Sequence, residues 1–135
     1  MKITRETDYA LRAVRAIAEM PERVISARDI AQAENIPVNF LFKILKMLAG
    51  AGIVKIHRGC GGGYELVKPL EEIYIGDMIE LFEDGIHLNL CTQRENVCVN
   101  QPDCRLHHEF QRVEEILARE FSRYSLAELL AGPQQ

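Results

Sequence analysis

Between Cys91 and His108 the chain gathers three of its four cysteines and two of its four histidines. The spacing is C-x6-C-x5-C-x2-H, with His107 three residues beyond the last cysteine and His108 next to it. Thiolate and imidazole are the donors that zinc and iron–sulfur clusters accept. Three thiolates closing one loop, with a nitrogen or oxygen as fourth ligand, suit either. Spacing alone leaves zinc and iron–sulfur level. A disulfide would leave one of the three cysteines unpaired. Cys91, Cys98, Cys104 and His107 are therefore candidate metal ligands.

Compartment bears on what such thiols do. The opening MKITRETDYALRAV is charged throughout and lacks the apolar centre of a secretory signal. No apolar run approaches the roughly 18 residues of a membrane span. A soluble, cytoplasmic protein is expected, with no membrane partner. In a reducing compartment clustered thiols more often hold metal or sense redox state than form structural disulfides. With 135 residues, 47% of them hydrophobic, the chain has the length of one ordinary domain and can pack a core. Its net charge of −4 hides a division. Residues 1–68 carry eleven Lys and Arg against seven Asp and Glu, and residues 69–135 carry five against thirteen. A basic first half suits a polyanion such as DNA.

The elements that would position these residues follow from periodicity. Thr4 caps a helix over residues 5–20, with Leu11, Val14, Ile17 and Ala18 on one stripe and Asp8, Arg12, Arg15 and Glu19 on another; Pro21 stops it. Ser26 caps a second helix with Asp29 in its first turn, where negative charge is favoured. IPVNFLFKILKMLAGAG makes a third, with Pro37 in its first turn and Gly50 and Gly52 at its end. Two short helices so close together, the second bearing Lys43 and Lys46, outline a helix-turn-helix. IVKIH and GYELV, joined by RGCGG, predict a hairpin with Val54 and Ile56 toward the core and Lys55 and His57 toward solvent.

The predicted fold is thus mainly α: a winged helix-turn-helix with a short β-hairpin wing and a long C-terminal dimerisation helix. Residues 1–68 form the DNA-binding domain. Residues 69–135 supply a connecting helix, with Ile75, Met78, Ile79 and Phe82 on one face, a cysteine-rich loop (about 90–108, containing Pro102) and the long helix. That helix runs from about Arg105 to Tyr124 with Leu106, Phe110, Val113, Ile116, Leu117 and Phe121 on one stripe. Ser125 and Glu128 then open a last helix as a capping box. About 20 helical residues span roughly 30 Å, more than a small winged unit needs. Part of the stripe is therefore expected to pair with a second copy, giving a homodimer on palindromic double-stranded DNA.

On the third helix Asn39 and Lys43 share a face, and Lys46 is three residues further on. Asn can contact adenine bidentately, and Lys can reach guanine or a phosphate. One of Phe40 and Phe42 is expected near the DNA, against a thymine methyl or a sugar, with core packing the equal alternative; Phe40 enters the candidate set. In the wing, Arg58 beside Gly59 could enter the minor groove. Gly61, Gly62 and Gly63 would let the backbone approach a phosphate or adopt positive φ. Cys60, at the same tip, reads as a small tolerated residue rather than a ligand. No glycine-rich catalytic loop, carboxylate pair or Cys–His dyad with a pocket points to an enzyme.

RETDYALRAV, then FLFKILKMLAGAGIVKIHRGCGGGYEL, then the three-cysteine loop resemble the IscR/NsrR regulators of the Rrf-two family over essentially the whole chain. The specific feature is an R-G-x-G-G-G-Y wing followed by clustered cysteines. The resemblance implies a dimeric winged helix with crossed long helices. It also implies an iron–sulfur cluster on the loop that controls promoter binding in response to nitric oxide, redox or iron–sulfur status. Cys91, Cys98 and Cys104 match the cluster cysteines. His107 matches the nitrogen ligand of members holding a 2Fe–2S cluster. Asp8 falls where nitric-oxide-sensing relatives supply a carboxylate from the partner subunit to a 4Fe–4S cluster. The balance goes to 4Fe–4S over 2Fe–2S. The first cysteine gap is six residues here, where familiar members usually have five. The alternative reading is a DNA-binding regulator with a structural zinc site on the same loop.

Overall fold

Local capping sets the first two helices. Thr4 accepts a hydrogen bond from the Thr7 backbone N–H and starts α1, Arg5–Glu19, while Ser26 accepts from Asp29 N at 3.1 Å and starts α2, Ala27–Glu34. Asn35 ends α2 in the left-handed conformation, which Asn tolerates better than most residues. Pro37 then leads directly into α3, Val38–Gly50. The computed structural model describes residues 1–96, 98–101 and 103–132; Pro102 of the predicted loop lies outside them.

After α3, Gly52 turns the chain at φ 76° into β1, Val54–His57, which pairs antiparallel with β2, Gly63–Leu66. The register places Val54 opposite Leu66 and Ile56 opposite Tyr64. Ile25, just before α2, bridges to Tyr64 through reciprocal backbone hydrogen bonds of 2.9 and 2.8 Å, anchoring the wing to the helices. A 3₁₀ turn, Leu70–Glu72, leads to α4, Ile75–Glu83. A second 3₁₀ turn, Leu90–Thr92, precedes α5, Arg105–Phe121, and α6, Leu126–Leu130. Ser125 and Glu128 form the expected reciprocal capping box. The chain is a mainly helical winged helix with a two-stranded wing.

One core serves the molecule. Ala10, Ala13, Val14 and Ile17 of α1 meet Ile30 of α2 and Leu41, Ile44, Leu45 and Leu48 of α3; Ile73, Met78 and Leu126 enter the same cluster from later in the chain. Arg15 clasps Glu34 with two hydrogen bonds of 2.9 and 2.6 Å, and the Glu34 carboxylate raises the Arg15 pKa above its ordinary value. The expected inward face of β1 holds only at its base. Val54 is buried but Ile56 is 37% exposed, because it borders an open hollow shared with Val38 and Phe42 of α3 rather than the packed core. On α5 the expected apolar stripe is half-exposed, Leu106 is 72% exposed, and His107 is the helix's buried residue.

Candidate metal centre and nucleic-acid interface

The cysteine loop is moored to α5 by Glu114. Its Oε1 accepts from the Leu88 backbone N–H and from the Thr92 hydroxyl, each at 2.6 Å. The mooring fixes the 3₁₀ turn carrying Cys91. The Asn89 side-chain amide donates to Cys91 Sγ at 3.3 Å, and Gln101 Nε2 donates to the Cys91 carbonyl at 2.8 Å. Gln101 Nε2 also lies 3.3 Å from His107 Nδ1, which in turn lies 3.4 Å from Cys91 Sγ. Both contacts converge on one ring nitrogen: in the tautomer in which Nδ1 accepts from the Gln101 amide, its lone pair is turned toward this site.

Cys104 is the N-cap of α5, its carbonyl accepting from His108 N at 3.2 Å, and the Cys98 carbonyl accepts from Gln101 N at 3.1 Å. Both thiols are half-buried, and all four cysteines are free. The structure therefore brings Cys91 and His107 together. Among the described residues it does not gather three Cys, His, Asp or Glu side chains around one metal position. In kind, the donors fit a soft metal centre: sulfurs in one loop beside an imidazole. Asp8 stands elsewhere. It is exposed, 3.4 Å from Arg12, and it lines the same hollow as Phe121, the last residue of α5. The 17 residues of α5 span about 25 Å, so Asp8 is a helix length from Cys104 of its own chain.

The other candidate surface is the outer face of α3. Asn39, Lys43 and Lys46 are all exposed along it, opposite the buried Leu41, Ile44, Leu45 and Leu48. Phe40 meets Tyr9 of α1 edge-on at 5.5 Å, whereas Phe42 is 50% exposed. Arg58 is exposed at the wing tip beside Gly59, whose φ of 91° and open surroundings fit a turn pointing into solvent. The other wing glycines have different reasons for being glycine. Gly61 takes positive φ, but a Cβ on Gly62 would collide with the His57 carbonyl and one on Gly63 with that of Ile25. Their bareness serves the protein's own backbone. Cys60 is exposed at the same tip.

The profile of the Rrf2 family, described as iron-dependent transcriptional regulators, matches residues 3–132. The chain belongs to the Rrf2 family. The HTH-type transcriptional regulator NsrR of Halalkalibacterium halodurans is 32% identical over 137 residues, covering 100% of this chain and 94% of that protein. CymR, the global cysteine regulator of B. subtilis, superposes with a TM-score of 0.76 at 25% identity, covering 99% of each chain. IscR of T. potens shares the fold with a TM-score of 0.73 at 23% identity, covering 100% of this chain and 93% of that one. This Rrf2 protein is a DNA-binding transcriptional regulator, and its relatives are regulators rather than enzymes. Among its described residues, no helix is long and apolar enough to cross a membrane.

Several contacts tie α1 of this Rrf2 regulator to α3 and α4, and sequence reasoning missed those between elements. Arg12, which pairs with Asp8, lies over the Tyr9 ring at 4.8 Å, and Tyr9 in turn meets Phe40 of α3. Lys43 is held by Glu6, and the Thr7 hydroxyl donates to Glu83 at the end of α4. The Tyr9–Phe40, Glu6–Lys43 and Thr7–Glu83 partners lie on different elements, so no local spacing reveals them. The Asp8–Arg12 and Tyr9–Arg12 contacts, four and three residues apart on α1, have a signature in the sequence.

Proposed function

We propose that this chain is a homodimeric repressor whose promoter binding is controlled by an iron–sulfur cluster, 4Fe–4S in preference to 2Fe–2S. The observation that carries the reading is the Cys91 Sγ–His107 Nδ1 approach of 3.4 Å, within a loop that also bears Cys98 and Cys104. Cys91, Cys98 and Cys104 would hold the cluster, with His107 or Asp8 of the partner subunit as the fourth ligand. Asp8 and 4Fe–4S are what the resemblance to nitric-oxide-sensing relatives implies. The position of His107 supports a nitrogen ligand and 2Fe–2S. When bound, such a group supplies iron whose non-thiolate ligand exchanges readily, giving nitric oxide, oxygen or iron loss a point of attack.

The half-exposed stripe of α5 supports the dimer, since a second copy would cover Phe110, Val113 and Leu117. In each subunit Asn39, Lys43 and Lys46 would face the major groove, with Phe40 at the helix edge and Arg58 and Gly59 at the flanking backbone or minor groove. The chain's own contacts suggest how loop state could reach this face. Asp8 cannot pair fully with Arg12 while serving as a ligand. Any change at Asp8 passes to Arg12, to Tyr9, and through Phe40 to the start of α3. Affinity changes only if the two states differ in their fit to DNA.

The test is purification without oxygen, followed by an absorbance spectrum, iron and acid-labile sulfide counts, and DNA binding before and after iron removal. The reading expects a coloured protein with two to four irons per chain and a change in operator affinity. A colourless protein with one zinc per chain, binding DNA equally after chelation, would establish the structural-zinc reading instead.

A further inference from the structure

The recognition helix carries an apolar strip that the protein itself leaves open. Val38 and Phe42 stand four residues apart on α3 and so share a face. They are 39% and 50% exposed, and neither belongs to the core. Phe40 differs, being engaged by Tyr9. Across a shallow hollow stands Ile56 of the wing, 37% exposed, with Arg28, His57 and Tyr64 along the rim. The neighbouring outward positions on α3 are Asn39, Lys43 and Lys46, which suit a polyanion. The occupant that satisfies both features is an apolar group presented on a negatively charged scaffold. In the major groove of DNA the apolar group on the base edges is the 5-methyl of thymine.

We propose that Phe42, flanked by Val38, reads thymine methyl groups, making it a specificity-determining residue of this regulator. The proposal rests on the reading of α3 as the helix that enters the major groove. It goes further in assigning a base identity to a contact that forms no hydrogen bond. Phe42 discriminates here by burying a methyl that cytosine and the purines do not place at that point. One buried methyl corresponds to about fourfold in Kd, or ~0.8 kcal/mol. A half-site with one or two such contacts gains selectivity beyond what Asn39 and the lysines supply.

The experiment uses the full chain, isolated without oxygen and also after iron removal, to select duplexes from a random-sequence pool. The recovered duplex is then synthesised with deoxyuridine replacing thymidine one position at a time. This deletes the methyl and keeps every hydrogen-bonding group. The expected result is one or two positions per half-site where the parent protein loses about fourfold in affinity per methyl. Phe42→Ala binds more weakly and no longer distinguishes thymine from uracil at those positions, while Phe42→Leu keeps part of the distinction. Melting by circular dichroism confirms that both variants fold. The proposal is overturned if no position responds to uracil, or if Phe42→Ala loses as much as the parent does. If the parent retains no duplex at all, the assignment of α3 as the reading helix fails, and the proposal falls with it.

Discussion

Lys43 Nζ on α3 lies 2.8 Å from Glu6 Oε1 on α1. The pair is largely solvent-exposed, so it contributes at most about 1 kcal/mol to stability. Its consequence is for DNA: a phosphate or guanine that engages Lys43 must first displace a carboxylate. Glu6→Gln is expected to tighten binding to any duplex by about two- to fivefold, in proportion to a weak ion pair. Lys43→Ala and Arg58→Ala should each weaken binding and lower the slope of log affinity against log salt by about one. Titrations at several salt concentrations measure both effects. If the slopes of both variants match the parent's, these side chains do not face DNA.

Cys98→Ala is expected to abolish the visible absorbance and the bound iron while leaving a folded dimer, because Cys98 is not a member of the core cluster. An intact cluster in this variant would remove Cys98 from the ligand set. The fourth ligand is found the same way. His107→Ala and Asp8→Ala, each prepared without oxygen, should differ in iron retention, and the greater loss marks the ligand.

Glu114→Ala removes the acceptor of the Leu88 N–H and the Thr92 hydroxyl. A part-buried donor left without a partner costs roughly 1–3 kcal/mol, and here the cost is local to the loop. Amide hydrogen exchange should speed up at residues 88–93, with protection in α1 and α3 unchanged. Unaltered exchange in the loop would show that the turn bearing Cys91 is held by something else.

Glu65 sits 3.0 Å from His57 and 2.7 Å from Arg23, and these hold its carboxyl below the ordinary value of 4.5, the His57 hydrogen bond first. A carboxyl with a lowered folded pKa adds stability that is complete above its unfolded value and is lost as pH falls through the folded one. The iron-free parent should therefore out-melt Glu65→Gln at neutral pH, with the gap closing below about pH 4.5. A gap that stays constant down to pH 3 would mean that the carboxylate charge plays no part in securing the wing.

Much of this architecture was legible because its causes are local. Thr4, Ser26 and Ser125 each announce a helix by a bond to a residue three positions on, and the alternation of Leu41, Ile44, Leu45 and Leu48 fixes the inner face of α3. Ile56 misled because alternation reports which side of a strand a residue occupies, not whether anything lies beneath that side. Gly62 and Gly63 were visible as glycines, but their reason, the carbonyls of His57 and Ile25, comes from a chain segment folded back against them. At the cysteine loop the donor types were plain from spacing. The Glu114 mooring, the Gln101 link to His107 and the approach of His107 to Cys91 depend on how the loop is laid against α5. No one-dimensional pattern encodes that.

Leu126 of α6 is only 5% exposed and belongs to the same core as α1 and α3, while its backbone N–H is bonded to Ile73 at 2.7 Å. The last helix is thus a keystone. A fragment ending at residue 68 would lack Ile73, Met78 and Leu126 together and would open a hole in the core that they share with α1. The winged unit and the C-terminal half consequently melt as one cooperative body rather than as two independent modules. A lesion near the C-terminus should silence the gene switch by unfolding it, even though it touches neither DNA nor metal.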